Sequence, residues 1–317
     1  FGAKTPDENC ADLRTNGWEL YLGWNDSFAL MGKRFNYTVS ATLGDNKTVF
    51  TKFNNPEKNL SNHYEGKVLG EIWGYRVDGL FASDEEAAEY TSKINQDAVN
   101  ERILTDKVDP YYRAGDLKFR DLDGDNVISK GDDTAYDAGD REIIGNETPR
   151  YMYSFRLGAD WNGFDLGIFF QGVGKRDWYP NYLSTGFWGP YSRAFTSFIP
   201  ENFMDQCWSE ENRDGYFPRF RGYQTFAGSQ LGVNNDRYLQ DASYIRLKNL
   251  TVGYTLPVLK KVFTKLRVYF TGENLWYWSP MLKHTKYIDP EAAGGNGNTG
   301  MAYNYSRNFS VGVDITF

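Results

Sequence analysis

The stretch Phe309-Ser310-Val311-Gly312-Val313-Asp314-Ile315-Thr316-Phe317 decides the fold: every odd position is apolar or aromatic and every even one polar or small. This is an unbroken period of two, so a strand built from it turns one face to apolar surroundings and the other to water or a polar interior. A soluble sandwich would use one such strand as readily as a membrane barrel. Working outward, the same period appears in Trp18, Leu20, Leu22 and Trp24, after which a short connection is expected at Asn25 and Asp26. It continues in Phe35, Tyr37, Val39, Ala41 and Leu43 and lapses over about residues 53–150. It returns in Tyr151, Tyr153, Phe155, Leu157, Ala159 and Trp161 and reverses at Asn162-Gly163, a strong two-residue hairpin signal. Phe164, Leu166, Ile168 and Phe170 carry the return strand, and a second irregular stretch covers about 175–242. In the next strand Ile245 and Leu247 are out of phase with Leu250, Val252, Tyr254 and Leu256, which predicts a bulge near Lys248. Leu266, Val268 and Phe270 follow, and a third irregular stretch, about 278–304 with a Gly-rich end at 294–300, precedes the final strand.

Seven strands result, with connections alternately short and long, as expected when tight turns face the periplasm and long loops face outside. The fold class expected is all-β, a transmembrane antiparallel β-barrel. An open sheet edge is not viable in lipid, because its N–H and C=O groups would be unsatisfied, so the expected barrel is completed by strands outside this chain. Composition agrees. No run approaches the ~20 apolar residues of a spanning helix, which excludes a helical membrane protein. Aromatics are 17% of the chain and glycines number 32, a balance suited to strands, turns and aromatic girdles. A formal charge of −7 argues against nucleic acid as a partner. Two cysteines, Cys10 and Cys207, do not define a disulfide framework. Phe1 opens without a basic or apolar leader, so the chain is expected to be processed or part of something longer.

A resemblance rests on a series of phrases in order: Gly74-Tyr75-Arg76-Val77-Asp78-Gly79-Leu80-Phe81, then Gly115-Asp116-Leu117-Lys118-Phe119, Asp121-Leu122-Asp123-Gly124-Asp125 and Ile144-Gly145-Asn146. Gly163-Phe164-Asp165-Leu166 and Phe169-Phe170-Gln171-Gly172 follow, then the run from Tyr244 to Pro257, the run from Leu266 to Leu275, and the terminal Phe317. Together they resemble the C-terminal part of the SusC/RagA family of TonB-dependent outer-membrane transporters, with Ala114 standing where family members often have Pro. The resemblance implies that this chain supplies about the last seven strands of a 22-stranded barrel. It also implies an N-terminal plug domain, which nothing in this chain matches, contact with TonB through that missing region, and a SusD-like surface lipoprotein as a lid. The implied function is import of an oligosaccharide or, in other members, a peptide. On strands and loops alone, a passive porin or a surface adhesin remains the rival reading.

Several groups of residues are candidates for a site. Asp121, Asp123, Asp125, Ser129 and Asp132, with the Val127 carbonyl, fall at the positions of a Ca²⁺ loop. Asn126 replaces the usual Gly and Asp132 the usual bidentate Glu, and the alternative is a solvated acidic turn without metal. Ser83 with Glu86 forms a capping box ahead of a stretch rich in helix formers, 85–103, which predicts a small helix on the outer loop. Trp178, Tyr179, Tyr182, Phe187, Trp188 and Tyr191 lie in an expected outer loop, where flat rings suit sugars or a protein partner and equally suit loop packing. Arg219, Arg221 and Arg237 would line a polar lumen or form loop ion pairs. Only two histidines exist, His63 and His284, with no evident nucleophile partner, so an enzyme is not expected. Phe317, aromatic at the end of a period-two strand, resembles the signal read by the outer-membrane assembly machinery.

Overall fold

The computed structural model describes residues 9–193, 195, 199–257, 264–293 and 304–317. The Gly-rich 294–300 and part of the connection after Pro257 lie outside the described residues. Seven long strands make one antiparallel sheet in chain order. They are β1 (Ala11–Leu30), β2 (Lys33–Phe53), β3 (Arg150–Trp161), β4 (Phe164–Lys175), β5 (Tyr244–Leu256), β6 (Lys265–Trp278) and β7 (Asn308–Thr316). Their alternation becomes two faces. On one face Trp24, Val39, Leu157, Ile168, Leu250, Gly272 and Phe309 stand side by side across all seven strands. On the other, Asn25, Thr38, Gly158, Gly167, Thr251, Thr271 and Ser310 do the same. The polar face holds itself with side-chain bonds: Arg267 donates to Asp165 at 2.6 Å and to Asp314 at 3.0 Å, and Asn36 donates to Asp160 at 2.7 Å.

The apolar face is banded. Phe28, Phe35, Trp161, Phe164 and Tyr254 form a continuous aromatic row near the tight turns. At the other end Tyr153, Trp276 and Trp278 stand near the row of Leu20 and Leu43. From Leu20 to Phe28 is eight residues, about 26 Å along the strand at ~3.3 Å per residue, close to the apolar band of an outer-membrane barrel.

Two tight turns fix the register. Asn162 and Gly163 both have positive φ, at 49° and 87°, so the expected hairpin forms with Trp161 opposite Phe164. The first hairpin corrects the expectation. β1 runs straight through Asn25 and Asp26, which pair with Thr38 and Tyr37, and reverses at Met31-Gly32 with φ of 49° and 74°. Met rarely adopts a left-handed conformation, so nothing in the side chains advertised this turn; Gly32 supplies half of it. The bulge falls where the phase change put it: the ladders on both sides of β5 skip from Leu247 to Asn249.

The described residues of the three long connections, 54–149, 176–243 and 279–307, fold together into a cap at one end of the sheet. Tyr75, Phe119 and Ile128 of the first, Trp188, Phe217 and Tyr238 of the second, and Met281 and Ile288 of the third share a single hydrophobic core. Backbone bonds stitch the inserts: Tyr75 N–H donates to Asn234 O at 2.9 Å and Arg219 N–H to Gly115 O at 2.7 Å. Arg221 makes a two-pronged pair with the buried Asp116, at 3.1 and 2.9 Å. A short helix, α1 (Asp84–Thr91), lies in the first insert, with Ser83 Oγ accepting the Glu86 N–H at 3.2 Å and Glu86 reaching back to the Ala82 N–H at 2.7 Å, and a single further helical turn follows at Glu101–Leu104. The capping box and the small helix behind it are as expected, at the start of the stretch 85–103. The helix stops at Thr91, and Asn95 instead bonds into the acidic loop, donating to Asn126 O at 2.8 Å and accepting from Ile128 at 2.7 Å.

The cap is tied to the sheet by a buried charge cluster. Arg246 of β5 is 1% exposed and pairs with Asp289, also 1% exposed, in the third insert. Lys248, the bulge residue, pairs with Glu291 at 2.8 Å. Arg246 and Lys248, two residues apart in the strand, both reach the third insert.

Candidate functional site

The cap carries the features a ligand could use. Between the first and second inserts lies a cavity of about 470 Å³ whose lining includes Trp73, Tyr179, Asn181, Asn234, Lys67 and Glu147. The strand Glu71–Tyr75, paired with Arg141–Asn146, presents Trp73, whose indole N–H donates to Glu71 at 3.0 Å. Tyr179 contributes its ring while its hydroxyl is held inside, donating to Val233 O at 2.8 Å and accepting from Asn235 at 3.1 Å. Burial pushes that phenol well above its ordinary value. Lys67 is held below the usual lysine value, chiefly by burial, with Glu71 opposing the shift. An aromatic face beside planar amides and separate charges offers stacking and directional hydrogen bonds together, which suits a polar solute with apolar ring faces.

The six aromatics singled out in the sequence divide sharply. Trp178, Phe187, Trp188 and Tyr191 are buried in the cap core, so the expectation that they offer free faces to a ligand is corrected for these four. Trp188 packs edge-on to Phe187 at 4.7 Å and to Tyr238 at 5.3 Å, and its indole N–H donates to Pro180 O at 3.1 Å. Tyr191 donates to Pro218 O at 2.6 Å. Sequence placed these rings in a loop, but a loop of this length needs a core of its own, and large aromatics supply it. Tyr182 alone of the six is largely exposed. Trp73 was missed, because its strand is short and shows no period.

The arginines serve the cap. Arg237 donates to the carbonyls of Gly215 and Tyr216 at 3.0 and 2.9 Å, and Arg219 to Ala114 O at 2.7 Å. A second cavity, about 460 Å³, lies between the second and third inserts. Its wall is His284 stacked on Tyr216, with ring centroids 3.5 Å apart. Burial, with Lys283 and Arg237 nearby, holds this imidazole down to about 4, so it is neutral at pH 7.

The acidic loop has the turn chemistry its sequence suggests. Asp121 accepts the Gly124 and Asn126 N–H groups at 2.7 and 3.0 Å, and Asn126 has φ of 68°, the left-handed conformation that the usual Gly would take. The carboxylates that converge are Asp121, Asp123 and Asp140, each with an oxygen within 4.8 Å of the others. Asp125 turns to the Val127 N–H at 2.7 Å, Ser129 Oγ accepts the Gly131 N–H at 3.1 Å, and the Asp132 N–H donates to Asp137. Asp140 was not among the expected residues. It arrives from beyond the loop, fully buried, accepting the Leu122 and Ser129 N–H groups at 2.7 and 2.8 Å. Burial raises its carboxyl, the charges of Asp123 and Asp121 add to that, and the two N–H bonds oppose it. Three carboxylates so close repel one another, and a hard cation would relieve them.

The fold and cap define an open, seven-stranded amphipathic sheet with long inserts at one end. No protein-family model matches the chain. Two curated relatives from Formosa agariphila match: TonB-dependent receptor P3, 27% identical over 100% of this chain, and TonB-dependent receptor P26, 25% identical over 98%. The chain spans about 30% of the length of each. Among solved structures, the RagAB peptide transporter superposes with a TM-score of 0.61 and the RagAB peptide importer in its 'closed-closed' state with 0.63, both at 20% identity and over 98% of the chain. The chain is thus similar along its whole length to part of a TonB-dependent receptor, and the resemblance to a SusC/RagA-type transporter is borne out.

Proposed function

We propose that this chain is the C-terminal barrel portion of an outer-membrane TonB-dependent importer of SusC type. The observation that carries the reading is the seven-stranded sheet with one apolar, girdled face and one polar face, capped at one end, in a chain similar throughout to TonB-dependent receptors. In this reading the apolar face meets the bilayer, the polar face lines the lumen, and the cap stands outside the cell. TonB acts through a plug belonging to the longer protein, and a SusD-like lipoprotein closes over the cap.

The cargo we propose is an oligosaccharide, supported by the cavity in which Trp73 and Tyr179 stand beside Asn181 and Asn234. A peptide is the second reading. It is favoured by the burial of four of the six loop aromatics, and by the RagAB structures, which are described as a peptide transporter and importer. The loop at Asp121, Asp123 and Asp140 is proposed to hold Ca²⁺ and stiffen the cap. Phe317 is proposed as the assembly signal: its deletion should lower the amount of heat-modifiable barrel without altering synthesis, and unchanged assembly would refute that role.

The deciding experiment is purification of the native complex from outer membrane in mild detergent with identification of every polypeptide. A co-purifying SusD-type lipoprotein together with plug peptides supports active import. Titration of that complex with glycan and peptide pools then separates the cargoes, Trp73→Ala abolishing binding of the right one. A barrel with neither companion overturns the reading in favour of a porin or adhesin.

A further inference from the structure

We propose that the apolar face of the sheet carries a groove for one phospholipid of the surrounding bilayer, its acyl chain on Ala159 and its phosphate at Lys33. The inference rests on the reading of this face as the one in contact with lipid. The groove has a volume of about 630 Å³, within the roughly 300–1,000 Å³ of small-molecule sites. Its origin is a step in side-chain size. Ala159 stands between Tyr37 and Leu166 across the strands and between Leu157 and Trp161 along its own. A methyl among four large side chains leaves a trough, which Phe35 and Phe164 continue toward the turns. The floor and walls come mainly from β2, β3 and β4, each of which has a neighbour on both sides. Barrel strands outside this chain therefore add at its edges and leave the groove open.

Charge selects the occupant. Lys33 shares the phase of Phe35 and Tyr37, so it stands on the same face at the turn, just beyond the aromatic row. Its ammonium donates to Asn162 Oδ1 and has no carboxylate partner among the described residues. An unneutralised cation and a side-chain amide at headgroup level, above an apolar trough, match a phosphate with an acyl chain attached. An uncharged lipid would leave the cation unused, and a soluble anion would leave the trough unused.

The test is native mass spectrometry of the full-length barrel, extracted in mild detergent, with bound phospholipid counted per barrel. The wild type should retain one. Ala159→Phe fills the trough without adding polarity and should lower retention about tenfold. Lys33→Ala, at an exposed turn, should lower it about fivefold. Ala41→Phe, a matched enlargement elsewhere on the same face, should leave it unchanged. Heat-modifiable migration verifies that each variant is assembled, and if Ala159→Phe fails to assemble, Lys33→Ala carries the test. Retention unchanged in the assembled variants, or retention of lipopolysaccharide instead, overturns the groove while leaving the barrel reading intact. A chain that does not fractionate with the outer membrane would sink the barrel reading itself.

Discussion

The sheet and the cap use the same residue types in opposite ways. Trp24 on the sheet is 62% exposed and Trp188 in the cap 0%. On the sheet, aromatic and aliphatic side chains form an exposed row, which in the proposed reading meets lipid. In the cap they turn inward, and three inserts far apart in the chain share one core. The lesson is that an exposed apolar residue in this molecule is evidence about its surroundings, while a buried one is evidence about packing.

Truncation should separate the two regions most strongly. Trp188→Ala is expected to destabilise the cap by about 3–5 kcal/mol, through lost burial and the cavity left behind, read as earlier proteolysis of the inserts. Trp24→Ala, where lipid refills the space, should change the sheet's heat-modifiability little. Equal effects would break the comparison.

Introducing charge inverts the order. Val252→Arg, in the middle of the apolar face, is expected to cost about 2–4 kcal/mol in a bilayer and to reduce assembled barrel. Thr251→Arg, one residue away on the polar face, should be tolerated. If both are tolerated, the apolar face does not meet lipid.

A smaller effect should appear with pH and be confined to the cap. His284 is held at about 4 in the folded chain against an ordinary 6.5, by burial first and by Lys283 and Arg237 second. Between these values the unfolded cap binds a proton that the folded one does not. Stability contributed by the neutral imidazole is therefore present above 6.5 and lost as pH falls toward 4. His284→Phe, which keeps a ring against Tyr216, should flatten that slope in the cap's thermal transition; an unaltered slope would place its cause elsewhere.

The smallest expected change is from calcium. Millimolar Ca²⁺ should raise the cap's transition by a few degrees and leave the sheet's unaltered, and Asp123→Asn should abolish the shift. Asp123 is the better probe than Asp140, which also anchors two backbone N–H groups.

The amino-acid sequence by itself determined the sheet. Alternation, the Asn162-Gly163 reversal and the phase change at Lys248 are all local signals, because a strand's two faces follow from neighbouring residues alone. The Met31-Gly32 turn escaped it, since Met lacks the preference that marks such turns, and so did the end of α1, which Asn95 sets by pairing with a loop more than thirty residues on. Only the tertiary structure decided what the cap does with its side chains. Trp178 and Trp188 become core because Phe187, Phe217 and Tyr238 of the folded insert pack against them, Asp140 joins Asp121 and Asp123 because the chain loops back, and Trp73 meets Tyr179 across a cavity. None of these contacts has a period, because each joins segments whose separation in the chain is set by loops, and loops carry no register.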